Sequence, residues 1–73
     1  MSSFWDSQKE LKRITKNKKD KVVVCECTRQ GKTYLDFRIY TKTESEEYVP
    51  TSKGFNLEKD KAIELIKDII NII

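Results

Sequence analysis

The clearest structural signal in the chain is residues 34–40, which read Tyr-Leu-Asp-Phe-Arg-Ile-Tyr. Polar and apolar residues alternate strictly over these seven positions, which is the period of a half-buried β-strand. Because successive side chains of a strand point to opposite faces, Leu35, Phe37 and Ile39 are expected on the core side. The other face then carries Arg38 between two tyrosines.

Further strand signals flank this segment on both sides. Residues 22–28 are rich in Val and Cys and predict a strand, which a turn at residues 29–32 joins to residues 34–40 as a hairpin. Towards the C-terminus, residues 47–49 and 55–57 predict two short strands separated by a polar turn. The pattern indicates an antiparallel sheet.

The C-terminal segment has the spacing of a helix. Its charged and polar residues fall at 58–61, 64, 67–68 and 71, with Asn56 as the expected cap. Its apolar residues cover an arc of roughly 180°, wider than the ~100° stripe that packing on one sheet requires. Because monomers rarely leave such a patch exposed, the surplus predicts a helix-mediated homodimer. The expected dimer interface consists of Ile63, Ile66, Ile69, Ile70 and Ile73.

These elements predict an α+β fold, a four-stranded curved antiparallel sheet followed by one C-terminal helix in the order β-β-β-β-α. Residues 21–73 are expected to form the domain. Residues 1–20 are interpreted as a basic, flexible N-terminal arm, with a short helix carrying Leu11 and Ile14 as the alternative.

The composition excludes most catalytic chemistry. The 73 residues contain no histidine, and the two cysteines, Cys25 and Cys27, are one residue apart in a predicted strand and cannot bridge each other. A zinc site, a histidine-based triad and a disulfide framework are therefore not expected. A small magnesium nuclease using Asp36 and the glutamates at 44, 46 and 47 is a weaker alternative, because those glutamates belong to a predicted loop.

The sequence accordingly predicts a protein that is not an enzyme and has no cofactor, metal or small-molecule substrate. It has no apolar run of about 18 residues, so no membrane association is expected. Free thiols indicate a reducing, intracellular compartment. That means the cytoplasm or nucleoid in a bacterium or phage, and the nucleus in a eukaryote.

The charge distribution favours a polyanionic partner. Residues 1–33 hold nine Lys and Arg against four Asp and Glu, in a chain of net charge +3. Aromatic rings beside cations on an open sheet face offer unpaired bases a stacking surface and phosphates a positive lining. The alternatives are a solvated arm, an ordinary cross-strand pair of tyrosines, and an ion pair of Arg38 with Asp36.

Two segments resemble the transcriptional coactivator positive cofactor four family. Residues 31–40 carry an Asp-apolar-Arg core followed by an aromatic residue, and residues 50–57 read Pro-Thr-Ser-Lys-Gly-Phe-Asn-Leu, a Pro-x-x-Lys-Gly-apolar-x-Leu pattern. The resemblance covers about residues 21–70. It implies a homodimer whose helices pair and whose sheets form channels for single-stranded DNA, with RNA as a second candidate. Little sequence preference and a role in transcription regulation, replication or recombination are expected, as in a bacterial or phage relative.

The resemblance also implies site residues. Lys32, Arg38 and Lys53 correspond to phosphate contacts, whereas the stacking phenylalanine and tryptophan of the family are replaced near Gln30 and Thr41. Stacking would then fall to tyrosines. The complete set expected to bind nucleic acid is Lys21, Arg29, Lys32, Tyr34, Arg38, Tyr40, Tyr48 and Lys53. The alternative function is a protein-interaction module that docks through the Ile-rich helix.

Overall fold

A computed structural model of the chain describes residues 4–73 and shows one open antiparallel sheet with a single helix after it. The elements are β1 (Ser7–Thr15), β2 (Asp20–Arg29), β3 (Lys32–Lys42), β4 (Tyr48–Glu58) and α1 (Lys59–Ile72). The strands lie side by side in chain order, so each pairs with its sequence neighbour. This confirms the predicted α+β class with four antiparallel strands and a C-terminal helix.

The strands are not the four that the sequence indicated. Residues 7–15, expected in a flexible arm or a short helix, form β1 and pair with β2 from Ser7 to Thr15, with a register shift between Glu10 and Lys12. The two short strands predicted at residues 47–49 and 55–57 are parts of one strand, β4. Residues 51–54 form a bulge within it rather than a turn, because the register against β3 shifts there.

The β2–β3 hairpin is confirmed, and its turn fixes the register of the sheet. Gln30 and Gly31 both have positive φ, 52° and 80°, as a two-residue type I′ turn requires. This turn places Arg29 opposite Lys32 and Cys27 opposite Tyr34. Since side chains alternate along each strand, the register decides which residues share a face.

The two faces of the sheet differ in what covers them. On the helix face, which carries Leu35 and Phe37, α1 packs against β3 and β4, and Leu35 and Ala62 are buried. The opposite face, here called the cysteine face, carries the most buried cluster of the sheet. That cluster consists of Val23, Cys25 and Cys27, with Trp5 and Tyr40 packed against it. The cysteine face, which was expected to be open, is therefore partly covered by aromatic side chains.

The helix starts differently from the prediction. Its N-cap is Glu58, without a side-chain capping bond, and Asn56 lies within β4. The Lys59 Nζ lies 2.6 Å from the Glu26 Oε2, which ties the first turn of α1 to β2. This contact lowers the pKa of the Glu26 carboxyl. Within residues 4–73, no helix is long and apolar enough to cross a membrane.

Candidate nucleic-acid interface

Seven of the eight residues expected to bind nucleic acid share the cysteine face. The odd-numbered positions of β2 pair with even-numbered positions of β3, and Lys42 of β3 pairs with Tyr48 of β4. Because side chains alternate along each strand, these seven residues lie on one side of the sheet. The seven are Lys21, Arg29, Lys32, Tyr34, Arg38, Tyr40 and Tyr48. The sheet thus brings three aromatic rings and four cations onto a single surface.

Arg38 is fixed at the middle of this face. Its Nε donates to the Asp36 Oδ2 at 3.0 Å, its Nη2 to the Asp36 Oδ1 at 2.9 Å and its Nη1 to the Thr51 carbonyl oxygen at 3.0 Å. The hydrogen bonds that Arg38 donates to the Asp36 carboxylate raise the pKa of the Arg38 guanidinium. These bonds use three of its five N–H groups, and the remaining two make no hydrogen bond to residues 4–73. Arg38 therefore forms the ion pair and keeps donors for a ligand.

The end of the face near Tyr40 and Tyr48 combines rings with cations. The Arg13 Cζ lies 5.6 Å from the centre of the Tyr40 ring, and the Lys21 Nζ lies 4.6 Å from that of Tyr48. Both distances are within the range of cation–π attraction. Burial raises the pKa of the Tyr40 hydroxyl, so the ring stays neutral at physiological pH. This end presents aromatic rings edged with positive charge.

Two aromatic residues that the sequence analysis left without a role lie at the hairpin end of the same face. The Trp5 ring centre is 5.4 Å from that of Tyr34 and 4.8 Å from that of Phe4. The Arg29 Cζ lies 3.8 Å from the centre of the Phe4 ring. Sequence periodicity does not identify these rings, because they precede β1. The only signal was two adjacent aromatic residues in a polar segment.

Hydrogen bonds hold this N-terminal segment against the hairpin. The Asp6 N–H donates to the Thr28 carbonyl oxygen at 2.7 Å, and the Gln30 N–H donates to the Asp6 Oδ2 at 2.8 Å. The hydroxyls of Ser7 and Thr28 are also hydrogen-bonded to each other. Asp6 therefore clamps the chain to the hairpin turn directly after Trp5.

Two cavities lie on either side of these rings. The first, the hairpin-end pocket, has a volume of about 290 Å³ and is lined by three aromatic side chains, Phe4, Trp5 and Tyr34, together with four polar ones, Arg29, Gln30, Lys32 and Asn56. The second, the central cavity, has about 480 Å³ and adds Arg38, Pro50 and Thr51 to the shared Phe4, Trp5 and Asn56. Because both cavities share these residues, they form one concave track.

Lys53 lies apart from this track. It belongs to the bulge of β4 and lines a cavity of about 220 Å³ with Arg38 and Gly54 and with the apolar side chains of Val22, Phe37, Ile39 and Phe55. Those apolar residues belong to the helix face. Lys53 therefore shares a cavity with Arg38, but it lines neither the hairpin-end pocket nor the central cavity.

The alternative chemistries gain no support from the described residues. Within residues 4–73, no three Cys, Asp or Glu side chains are close enough to hold a metal ion. Asp36, one carboxylate of the magnesium hypothesis, is engaged by Arg38. Burial raises the pKa of the Cys27 thiol to about 11, so it stays protonated and a poor nucleophile at neutral pH.

Comparisons with known proteins were made at the levels of sequence and structure. No protein-family model matches the chain, and no curated protein matches it in sequence. The similar solved structures include two crystal forms of BPSL1147, a PC4 (positive cofactor four) homolog from Burkholderia pseudomallei K96243. The orthorhombic form has a TM-score of 0.79 at 20% identity, covering 96% of this chain and 95% of that one. The tetragonal form has a TM-score of 0.76 at 18% identity, covering 90% of this chain and 97% of that one. The chain therefore has the PC4-like fold that its sequence resembles.

Proposed function

We propose that the protein binds single-stranded DNA with little sequence preference, as a homodimer, in transcription regulation, replication or recombination. The observation that carries this proposal is the concave track on the cysteine face, where aromatic rings lie beside Arg29, Lys32 and Arg38. Unpaired bases stack on aromatic rings while cations neutralise the backbone, and neither contact depends on base identity. The PC4-like fold is consistent with this role, which the family resemblance also implies.

A single strand suits this surface better than a duplex. Duplex DNA keeps its base faces inside the stack, so the rings of the track would have nothing to stack on. Reading the major groove usually requires a helix or a two-stranded ribbon. The polar side of α1 mixes Glu64 and Asp68 with lysines, which makes it a poor partner for phosphates.

The dimer is supported by the apolar surface that one chain leaves uncovered. Ala62 is the one buried residue of α1, whereas the five isoleucines of the expected interface are all exposed. An apolar cavity beside Phe37 and Phe55 lies on the same face of the sheet as α1. A second copy would cover both with the same residues, as two-fold symmetry requires.

The binding proposal is tested by titrating a fluorescently labelled oligo-dT, and a duplex of equal length, with the protein. We expect tighter binding to the single strand, and log K against log salt should steepen by about 0.7 for each phosphate neutralised. Equal or tighter binding to the duplex at physiological salt would reject the proposal. A flat salt dependence would reject a groove that follows the backbone.

A pair of lysine variants sharpens this test. Lys32→Ala removes a cation from the track and should weaken binding and lower the salt slope. Lys9→Ala removes the same charge, but Lys9 pairs with Glu26 on the helix face. The control variant should therefore bind oligo-dT almost as the wild type does.

The same exposed helix favours a second candidate, a module that docks on another protein through its isoleucines. In that case α1 would contact a different chain rather than a copy of itself. A monomeric wild-type protein that binds oligo-dT no better than duplex would favour this candidate.

A further inference from the structure

We infer that the hairpin-end pocket is a nucleobase site, which accepts one unstacked base of a bound single strand against the rings of Trp5 and Tyr34. This inference rests on the proposed function and names a subsite within it. It assigns a role to Phe4 and Trp5, which precede the four strands. It also locates aromatic surface beside Gln30, which supplies none itself.

The size and lining of the pocket fit a single base. Its volume of about 290 Å³ lies just below the range of about 300–1,000 Å³ typical of small-molecule sites, as suits a ligand as small as one base. Three aromatic rings form the apolar part of the lining, which suits the faces of a base. The amide groups of Gln30 and Asn56 offer both donors and acceptors to its edge.

The charges of the pocket fit the phosphates next to such a base. Arg29 and Lys32 end the two strands of the hairpin and face each other across it. The Arg29 guanidinium already lies on the Phe4 ring, 3.8 Å from its centre, so cation and ring form one layered surface. A base entering beside Trp5 would leave its flanking phosphates near these two cations.

The rings are also held in place before any strand binds. Asp6 accepts from the Gln30 N–H and donates through its own N–H to Thr28, so Trp5 is fixed next to Tyr34. A preorganised ring loses less conformational entropy on binding than a mobile one. Asp6 is thus a positioning residue for the site.

Trp5 provides a direct readout, because it is the only tryptophan of the chain. We expect oligo-dT to quench the Trp5 emission with the same midpoint as the anisotropy of the labelled strand. An abasic strand of equal length carries the same phosphates without bases. It should bind more weakly and leave the emission unchanged.

Variants test the same site by affinity. Trp5→Ala should weaken oligo-dT binding by about 5- to 150-fold, the range expected for the loss of one stacked base. Trp5 packs on the buried cluster, so its loss could also destabilise the fold. Phe4→Ala provides a second variant, which should remain folded because Phe4 is 62% exposed. The matched control is Leu11→Ala, which truncates an exposed side chain of β1 and should change affinity less than twofold.

Asp6 variants separate positioning from general stability. Asp6→Ala should reduce the quenching by oligo-dT, and Asp6→Asn should restore it, because an amide oxygen can still accept from Gln30. Two results together would overturn the nucleobase site: oligo-dT binds without changing the Trp5 emission, and Phe4→Ala binds oligo-dT with full affinity. The proposed function would still stand in that case. An absence of any anisotropy change would instead overturn the proposed function, and the site with it.

Discussion

Asp36 and Arg38 are two residues apart in β3 and meet on the same face. Asp36 is 3% exposed, and a carboxylate removed from water to this extent requires a partner. Arg38 supplies that partner through two hydrogen bonds and uses a third to hold β4 at Thr51. One side chain therefore stabilises the sheet and offers positive charge to a ligand.

Replacing Arg38 should consequently affect both stability and binding. We expect Arg38→Ala to lower the free energy of unfolding by about 2–4 kcal/mol, because it leaves the buried Asp36 carboxylate unpaired. Loss of a charge-assisted phosphate contact should weaken oligo-dT binding by about 1–3 kcal/mol. Urea unfolding and strand titration measure the two effects separately.

The double variant Asp36→Asn/Arg38→Ala is the control for this prediction. An amide is less costly to bury than an unpaired carboxylate, so the double variant should regain part of the lost stability without regaining strand affinity. If Arg38→Ala were as stable as the wild type, the buried Asp36 carboxylate would not depend on Arg38 for its stabilisation, which would contradict this prediction.

The bulge in β4 brings the first half of that strand to the central cavity. Between the pairs Arg38–Gly54 and Tyr40–Pro50, the register shifts by two residues. Thr51 closes the bulge by donating from its Oγ1 to the Ile39 carbonyl oxygen at 2.8 Å. A Cβ at Gly54 would lie 2.4 Å from the Phe37 carbonyl oxygen, so only glycine permits this approach of the two strands.

We therefore expect Gly54→Ala to destabilise the fold by about 3 kcal/mol, since the clash is with backbone that cannot move without separating β3 from β4. Gly31→Ala is the matched control. Its φ of +80° strains any other residue, but nothing lies within 4 Å of the added Cβ, so a loss of about 1–2 kcal/mol is expected. Urea midpoints compare the two, and equal losses would contradict the argument from close approach.

At the scale of the whole molecule, one chain is a slab with principal extents of 38 × 36 × 17 Å. A body this thin has room for one sheet and one helix but not for an enclosed core. The buried cluster on one face and the contact of Ala62 and Leu35 on the other are accordingly small. A chain of this size usually gains stability from a disulfide, a metal or a partner subunit.

The exposed isoleucines predict that this support comes from a second copy. We expect the wild-type protein to sediment as a dimer at micromolar concentration and Ile66→Asp to sediment as a monomer with weaker strand binding. Asn71→Asp adds the same charge to the polar side of α1 and should remain dimeric. A monomeric Ile66→Asp that binds oligo-dT at full affinity would show that α1 serves another partner.

The sequence predicted the elements that have a regular period. The alternation of residues 34–40 predicted β3 and placed Tyr34, Arg38 and Tyr40 on one face, and the spacing of charges predicted α1. β1 was missed because all nine of its residues are exposed, so it has no apolar face for a period to show. β4 was divided in two because Pro50 and Gly54 usually interrupt strands, whereas an edge strand with a bulge accepts both.

The part of the candidate site that was missed depends on tertiary contacts. Phe4 and Trp5 lie close to the hairpin turn only because β1 runs antiparallel to β2 and Asp6 bonds to Gln30. Without β1 in the prediction, nothing placed these rings near Tyr34. Local sequence signals cannot reveal a pairing that the missed strand creates.

The position of β1 at the border of the sheet has a further consequence for solubility. Among residues 4–73, no strand pairs with its outer side, so β1 forms an edge to which another strand can add, but its lysines and arginine disfavour such addition. Removing residues 1–15 would transfer this border position to β2, whose valines and cysteines lack that protection. A protein shortened in this way should aggregate through strand addition even where its remaining three strands stay folded.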